Sequence, residues 1–326
     1  MKHRQLWQGT FASLGMLLLI LDGRTALEGA SSGIDLCMKT VIPSLFPFFL
    51  LSVLLTNALS GANPFFRPLS GIFQIPQGTE TLLLTGFLGG YPVGAQCVAS
   101  GWKNGQLSKA DANRMLAFCS NAGPAFLFGM VSPMFPSPGY AWLLWGIQIA
   151  SALLVAISIT RDVSAPVGLL PKKTISVSAA LGSSLSIMAS VCGWVVIFRV
   201  VIAFLDRWIF WLFPAPVTTL LTGLLELSNG CCLLSCVADC RIRFVICAVI
   251  LTFGGVCVTM QTMSVISGLD GRVYLLGKLL QSTYALLLCL GICYRVWTGC
   301  FAAIIVLLLF LRRTQKSSSI PKKIGV

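Results

Sequence analysis

The sequence predicts an all-α polytopic membrane protein built as two inverted repeats, each with a re-entrant or broken helical hairpin. Three observations lead there. Hydrophobic residues make up 56% of the chain and charged residues only 10%, with a mean hydropathy of +0.88; a soluble domain carries roughly a quarter charged residues. Apolar runs of membrane-spanning length follow one another from end to end. Some of these runs are interrupted where a span should be continuous. Thr81–Ser100 carries Gly86, Gly89, Gly90, Pro92 and Gly94, and Thr218–Cys236 carries Gly223, Glu226, Asn229 and Gly230. A helix broken at membrane depth survives only where protein buries it or where it lines a wet cavity.

In order, residues 1–25 form an N-terminal transmembrane helix, 26–160 the first repeat, 174–295 the second, and 296–326 a last transmembrane helix with a basic cytoplasmic tail. The start, Met1 to Arg4 followed by the apolar run Leu6–Leu21, has the outline of a signal peptide. It reads better as a retained first helix, because the multi-span pattern continues. Ala26–Met38 is an amphipathic stretch suited to the interface. A run with Pro43 and Pro47 follows, then a Pro-rich linker, Gly61–Gly78. The broken segment Thr81–Ser100, the loop Gly101–Arg114, the interrupted span Met115–Phe135 and the clean span Tyr140–Thr160 complete the first repeat. Arg161–Lys173 separates the halves. The second repeat offers an amphipathic stretch at Thr174–Ser183, a span at Ser184–Leu205, the broken segment Thr218–Cys236, a loop at Asp239–Arg243 and a span at Phe244–Ser267. Two apolar runs remain, Leu275–Tyr294 and Val296–Leu311, and the tail from Arg312 holds five bases and no acid. The two halves repeat the same order of elements.

Charge bias settles how the broken segments lie. If both crossed the bilayer, the loops bearing Lys103, Lys109 and Arg114 and those bearing Arg161, Lys172 and Lys173 would fall outside, against the positive-inside rule. If each returns to the side it entered, those loops and the tail fall inside, and the uncharged turn Ser132–Gly139 falls outside. The halves then have opposite orientation, and the hairpins meet at mid-depth.

The net charge of +13 comes from bases in short loops and at the termini, which fits membrane topology and not nucleic acid. The 13 cysteines sit mostly inside apolar runs, as small hydrophobes. Cys231, Cys232, Cys236 and Cys240 lack paired metal-ligand spacing, and His3 is the only histidine. No enzyme motif is present, and neither a metal nor a cofactor is expected. Glu226 is the one acid well inside an apolar run, where a charge costs several kcal/mol (order of magnitude) unless solvated or paired. It is either a coupling or substrate-binding carboxylate or a cap for the backbone of its own hairpin. Arg199 reads as the one base within a span: it faces inward, toward Glu226 or a substrate carboxylate, or it snorkels toward Asp206. Gly90, Tyr91, Pro92, Ser120, Asn121, Asn229 and Gln261 cluster at the breaks and complete the candidate substrate site. The expected partners are a small-molecule substrate, a coupling proton or cation, and the lipid bilayer; a homo-oligomer is compatible with the sequence, and nucleic acid is not expected.

Several runs carry a family resemblance: Leu36 to Phe48 (LCMKTVIPSLFPF), Gly89 to Ala95 (GGYPVGA), Cys119 to Pro124 (CSNAGP), Cys192 to Arg199 (CGWVVIFR) and Glu226 to Gly230 (ELSNG). Together they resemble the sporulation integral membrane proteins of the YlbJ and SpoVV type, in the nucleoside-recognition, or Gate, group. That resemblance spans Leu14 to the final helix. It implies a fold similar to the core of concentrative nucleoside transporters and a role in spore formation. It also implies movement of a small planar anion, dipicolinic acid, at the cell membrane or the outer forespore membrane. A nucleoside-type permease and a non-transporting scaffold for cortex assembly are the alternatives.

Overall fold

The computed structural model describes residues 2–58, 64–159 and 176–318. The expected break Arg161–Lys173 and the last residues of the tail lie outside them. Every regular element among the described residues is helical. Five stretches are long and apolar enough to cross a membrane: Gly23–Leu55, Gly139–Ser158, Val177–Trp208, Cys240–Val265 and Gly271–Tyr294. With exposed leucines, isoleucines and tryptophans along their outer faces, they describe a multi-pass membrane protein.

Helix α1 spans Lys2–Leu21 and is apolar over Ala12–Leu21. Asp22 caps α2 (Gly23–Leu36) by accepting from the backbone of Thr25. The amphipathic segment expected at Ala26–Met38 is not a separate element. It runs through a widened turn at Cys37–Val41 into α3, Ile42–Ala58. A short α4, Arg67–Phe73, leads to α5 (Glu80–Leu88) and α6 (Val93–Lys103), the arms of the first hairpin. Ser108 caps α7, Lys109–Leu116, with Asp111 in its first turn. The loop expected at Gly101–Arg114 is therefore confined to the residues between α6 and α7, and Arg114 is a buried helical residue. The chain then loses helical form from Ala117 to Gly123 and resumes as α8, Pro124–Phe126, continued by a wide turn to Val131. Helix α9, Gly139–Ser158, closes the half.

In the second half, Ser176 caps α10, Val177–Trp208, so Thr174–Ser183 forms no element of its own. The arms of the second hairpin are α11 (Ala215–Leu225) and α12 (Leu227–Cys232). Asp239 caps α13, Cys240–Phe253; a left-handed Gly254 breaks the path before α14, Gly255–Val265. Two helices finish the chain: α15 (Gly271–Tyr294) and α16 (Trp297–Ser318).

The hairpins close through glycine. A Cβ on Gly230 would run into the Cα of Gly223, so α12 lies directly on α11. In the first hairpin Gly94 faces Gly86, and the carbonyl of Cys119 lies against both. That contact wedges the non-helical segment into the hairpin and positions the first break. Helix α15 packs between α9 and α13 and reaches the same segment, where Gly277 abuts Ala117. The core follows this plan, one cluster around Phe118, Tyr274 and Tyr284 and another around Tyr91, Phe126 and Leu251.

Candidate functional site

Both hairpin turns and the first break, through Ala122 and Gly123, line one small cavity. Its polar wall comes from Gly90 and Tyr91 of the first turn, Glu226 and Ser228 of the second, and Gln261 of α14; Val191 and Val195 of α10 line the apolar side. Its volume is about 40 Å³, room for roughly three waters. A larger guest enters only if the hairpins part.

Glu226 is 2% exposed and caps α12. One carboxylate oxygen accepts from the backbone N–H of Ser228 at 3.0 Å; the other accepts from the backbone and the side-chain amide of Asn229, both at 2.7 Å. These bonds satisfy backbone donors that the helix start leaves open, so the capping alternative is realised while the residue still borders the cavity. Asn229 acts through Glu226. Gln261 sits on the cavity wall and donates to the sulfur of Cys257 at 3.3 Å.

Tyr91 links the halves. Its hydroxyl donates to the carbonyls of Leu251 and Thr252, each at 3.3 Å. These carbonyls belong to the last turn of α13, freed by the break at Gly254. The ring fits because Gly254 has no side chain: a Cβ there would stand 3.0 Å from Cζ of Tyr91. Pro92 precedes α6 at the turn. Asn121 bridges the first break internally, donating to Phe118 O at 2.7 Å and accepting from Gln281 at 2.7 Å.

Arg199 is not brought to the cavity. It sits where α10 meets α2, donating to Ser32 Oγ at 3.2 Å and pairing with Asp206 at 3.1 Å. The pair lies two turns apart on one helix face, and the long guanidinium stem reaches outward along it. The expectation that Arg199 is the one base within a span also fails, because Lys278 lies inside α15.

Lys278 has no exposed surface. Its ammonium donates to the hydroxyl of Tyr91 at 3.2 Å, to Gln281 Oε1 at 2.7 Å and to the carbonyl of Ser120. Gln281 in turn donates to Asn121 Oδ1 and to Gln148 O, while Gln148 donates to Ala122 O at 2.7 Å. The ammonium thus ties α15 to the first hairpin and the first break. Sequence carried a signal for it. Tyr274, Lys278 and Gln281 stand at i, i+4 and i+7 in an otherwise apolar run, which is one face of a helix.

The chain is similar to the sporulation integral membrane protein YlbJ of Bacillus subtilis (strain 168), 27% identical over 319 residues, covering 82% of this chain and 77% of that protein. The likeness to that sporulation integral membrane protein runs over most of both chains. No protein-family model matches it, and neither does any solved structure. The similarity to YlbJ and the five spanning helices agree on a multi-pass membrane location.

Proposed function

We propose that this chain is a secondary transporter that moves a small planar acid across the membrane, with dipicolinic acid as the cargo and spore formation as the setting. One observation carries the reading: both hairpin turns and the first helix break line a single small cavity, with α14 completing its wall. Broken helices meeting at mid-depth are how many carriers present backbone groups to a substrate. The relative's sporulation name supports the setting, and in this reading the membrane is the outer forespore membrane. In this reading the halves are inverted repeats, the hairpins are re-entrant, and the small cavity belongs to a closed state between two open ones. Tyr91 and Phe126 border the cavity with aromatic surface for a planar ring.

The cavity wall sharpens the substrate chemistry. With Arg199 paired elsewhere, the charged side chain on that wall is the Glu226 carboxylate. A dianion would meet a like charge there, so its entry calls for a compensating positive charge in the protein. The same wall favours a second reading, a neutral heterocycle of the nucleoside type held by Glu226 and Gln261.

Uptake by purified protein in liposomes tests both. Saturable dipicolinate uptake that uridine does not compete supports the first reading, and saturable uridine uptake supports the second. Folded protein that moves neither overturns both and leaves a scaffold for cortex assembly.

A further inference from the structure

We propose that Lys278 is a proton-binding site whose charge decides whether the first hairpin is tied to the break in the second half. The hydrogen-bond count carries this. An ammonium has three donors and no acceptor. Around Nζ stand three acceptors: Ser120 O, Gln281 Oε1 and the hydroxyl oxygen of Tyr91. With Tyr91 accepting from Nζ, its own proton is free to go to the carbonyls of Leu251 and Thr252, as observed. Every partner is satisfied, and the first turn is tied to α13.

Loss of one proton reverses a single bond. The neutral amine keeps two donors, for Ser120 O and Gln281 Oε1, and gains one lone pair. The Tyr91 hydroxyl then donates to Nζ and lets go of Leu251 and Thr252. The proton leaves to water and no other bond breaks. The carbonyls at the end of α13 lose their partner, and the link between the halves opens.

The surroundings suit a group that changes charge. The groups facing Nζ are Tyr91 from the first hairpin, with its ring centre 5.1 Å away, Tyr274 from α15 itself at 6.0 Å, and Cys119 from the first break. Helix α9 presents Gln148, and α13 acts through the carbonyls that Tyr91 reaches. No ion pair to Lys278 forms among the described residues. Arg114 on α7 is turned to backbone carbonyls, and Glu226 is turned to its own helix start. A buried ammonium with no counter-ion is expensive in a membrane interior, so three neutral acceptors hold it without locking it. A separate observation points the same way: Ser120 Oγ and Gln148 Oε1 are buried within this network and make no hydrogen bond.

The consequence for flux rests on the transport reading above, but the switch can be tested without any substrate. The protein has five tyrosines. With 13C at Cζ of tyrosine, the intact protein in lipid nanodiscs is titrated from pH 5 to pH 10 by NMR. The Tyr91 resonance is assigned by its disappearance in Tyr91→Phe. In the wild type it should move through one inflection with pH. In Lys278→Met, and in Lys278→Gln should the first variant fold poorly, the inflection should vanish. A pH-invariant Tyr91 resonance in the wild type, or the same inflection without Lys278, overturns the proposal. In liposomes, one proton per substrate lets a gradient of one pH unit support about tenfold accumulation, and Lys278→Met should reduce this to none. Titration of Tyr91 without any flux of dipicolinate or uridine would keep the switch and remove the transport reading. A gradient-driven accumulation that persists in folded Lys278→Met would remove the coupling role.

Discussion

Replacing Arg114 by alanine should be among the most destabilising single changes in the first half. All five N–H donors of its guanidinium are used. Nε donates to Ile159 O at 2.9 Å; Nη1 donates to Phe73 O at 3.2 Å and Gln74 O at 2.9 Å; Nη2 donates to Phe73 O at 3.2 Å and Ala156 O at 2.6 Å. These carbonyls close the C-terminal ends of α4 and α9, where four acceptors per helix lack intrahelical partners and a cation opposes the dipole. The residue is 5% exposed, so water does not readily replace it. Charged hydrogen bonds contribute about 1.5–3 kcal/mol each, but the five are not additive, because the charge also loses its hydration on burial. Removing one partner of a buried charge network typically costs about 3–5 kcal/mol. At roughly 2–4 °C per kcal/mol for domains of 150–250 residues, the midpoint should fall on the order of 6–20 °C. The assay is thermal unfolding in detergent, read by a thiol-reactive dye at the buried cysteines. Arg114→Lys keeps the charge with fewer donors and should fall between. If Arg114→Ala melts within 1 °C of the wild type, the stapling argument is wrong.

Four further outcomes are expected. Gly230→Ala should force the second hairpin apart, costing about 1–3 kcal/mol or more by overpacking, whereas Gly146→Ala on α9, with open space around its Cβ position, should be neutral or stabilising by up to about 1 kcal/mol; thermal unfolding compares them. Glu226→Gln should lose about 1 kcal/mol of capping yet keep the pH dependence of uptake, since Lys278 carries the proton; a flat pH profile would return that role to Glu226. Arg199→Ala, which removes a half-exposed pair with Asp206, should change stability by about 0–1 kcal/mol and leave uptake at the wild-type rate. Single cysteines at Lys103 and Ser137, in a background without native thiols, should label from the cytoplasmic and the external side respectively; the reverse pattern would sink the predicted orientation.

The architecture was legible because its signals are local. Glycine and proline interrupt apolar runs at Gly89–Pro92, at Asn121–Pro124 and at Gly254, and the chain turns or breaks at each. Glu226 stood out as a lone acid in an apolar stretch, and the cavity does border it. Charged residues whose role depends on distant partners were harder to read. Arg114 looks like a loop base until Ser108 is recognised as a cap with Asp111 three residues on, which starts a helix before it. Its acceptors then lie 40 to 45 residues away in sequence. Arg199 resembled a site residue because an arginine within a span usually has a function, but a carboxylate two turns along the same face absorbed it. Lys278 vanished into the high mean hydropathy of its run. Only its helical spacing from Tyr274 and Gln281 distinguishes it, and two of its three acceptors lie 158 and 187 residues earlier.

That separation also bears on how the chain is made. The first break exposes Ser120 O as soon as the first half enters the bilayer, yet the ammonium that bonds it lies 158 residues downstream. At about 5–20 residues per second, synthesis takes roughly 8–30 seconds to deliver it. Through that interval the nascent first half holds an unfinished polar seam within lipid, with the Tyr91 turn waiting for the carbonyls of α13 as well. Biogenesis therefore depends on something outside the chain, the insertion machinery or trapped water, to shelter the seam until α15 arrives.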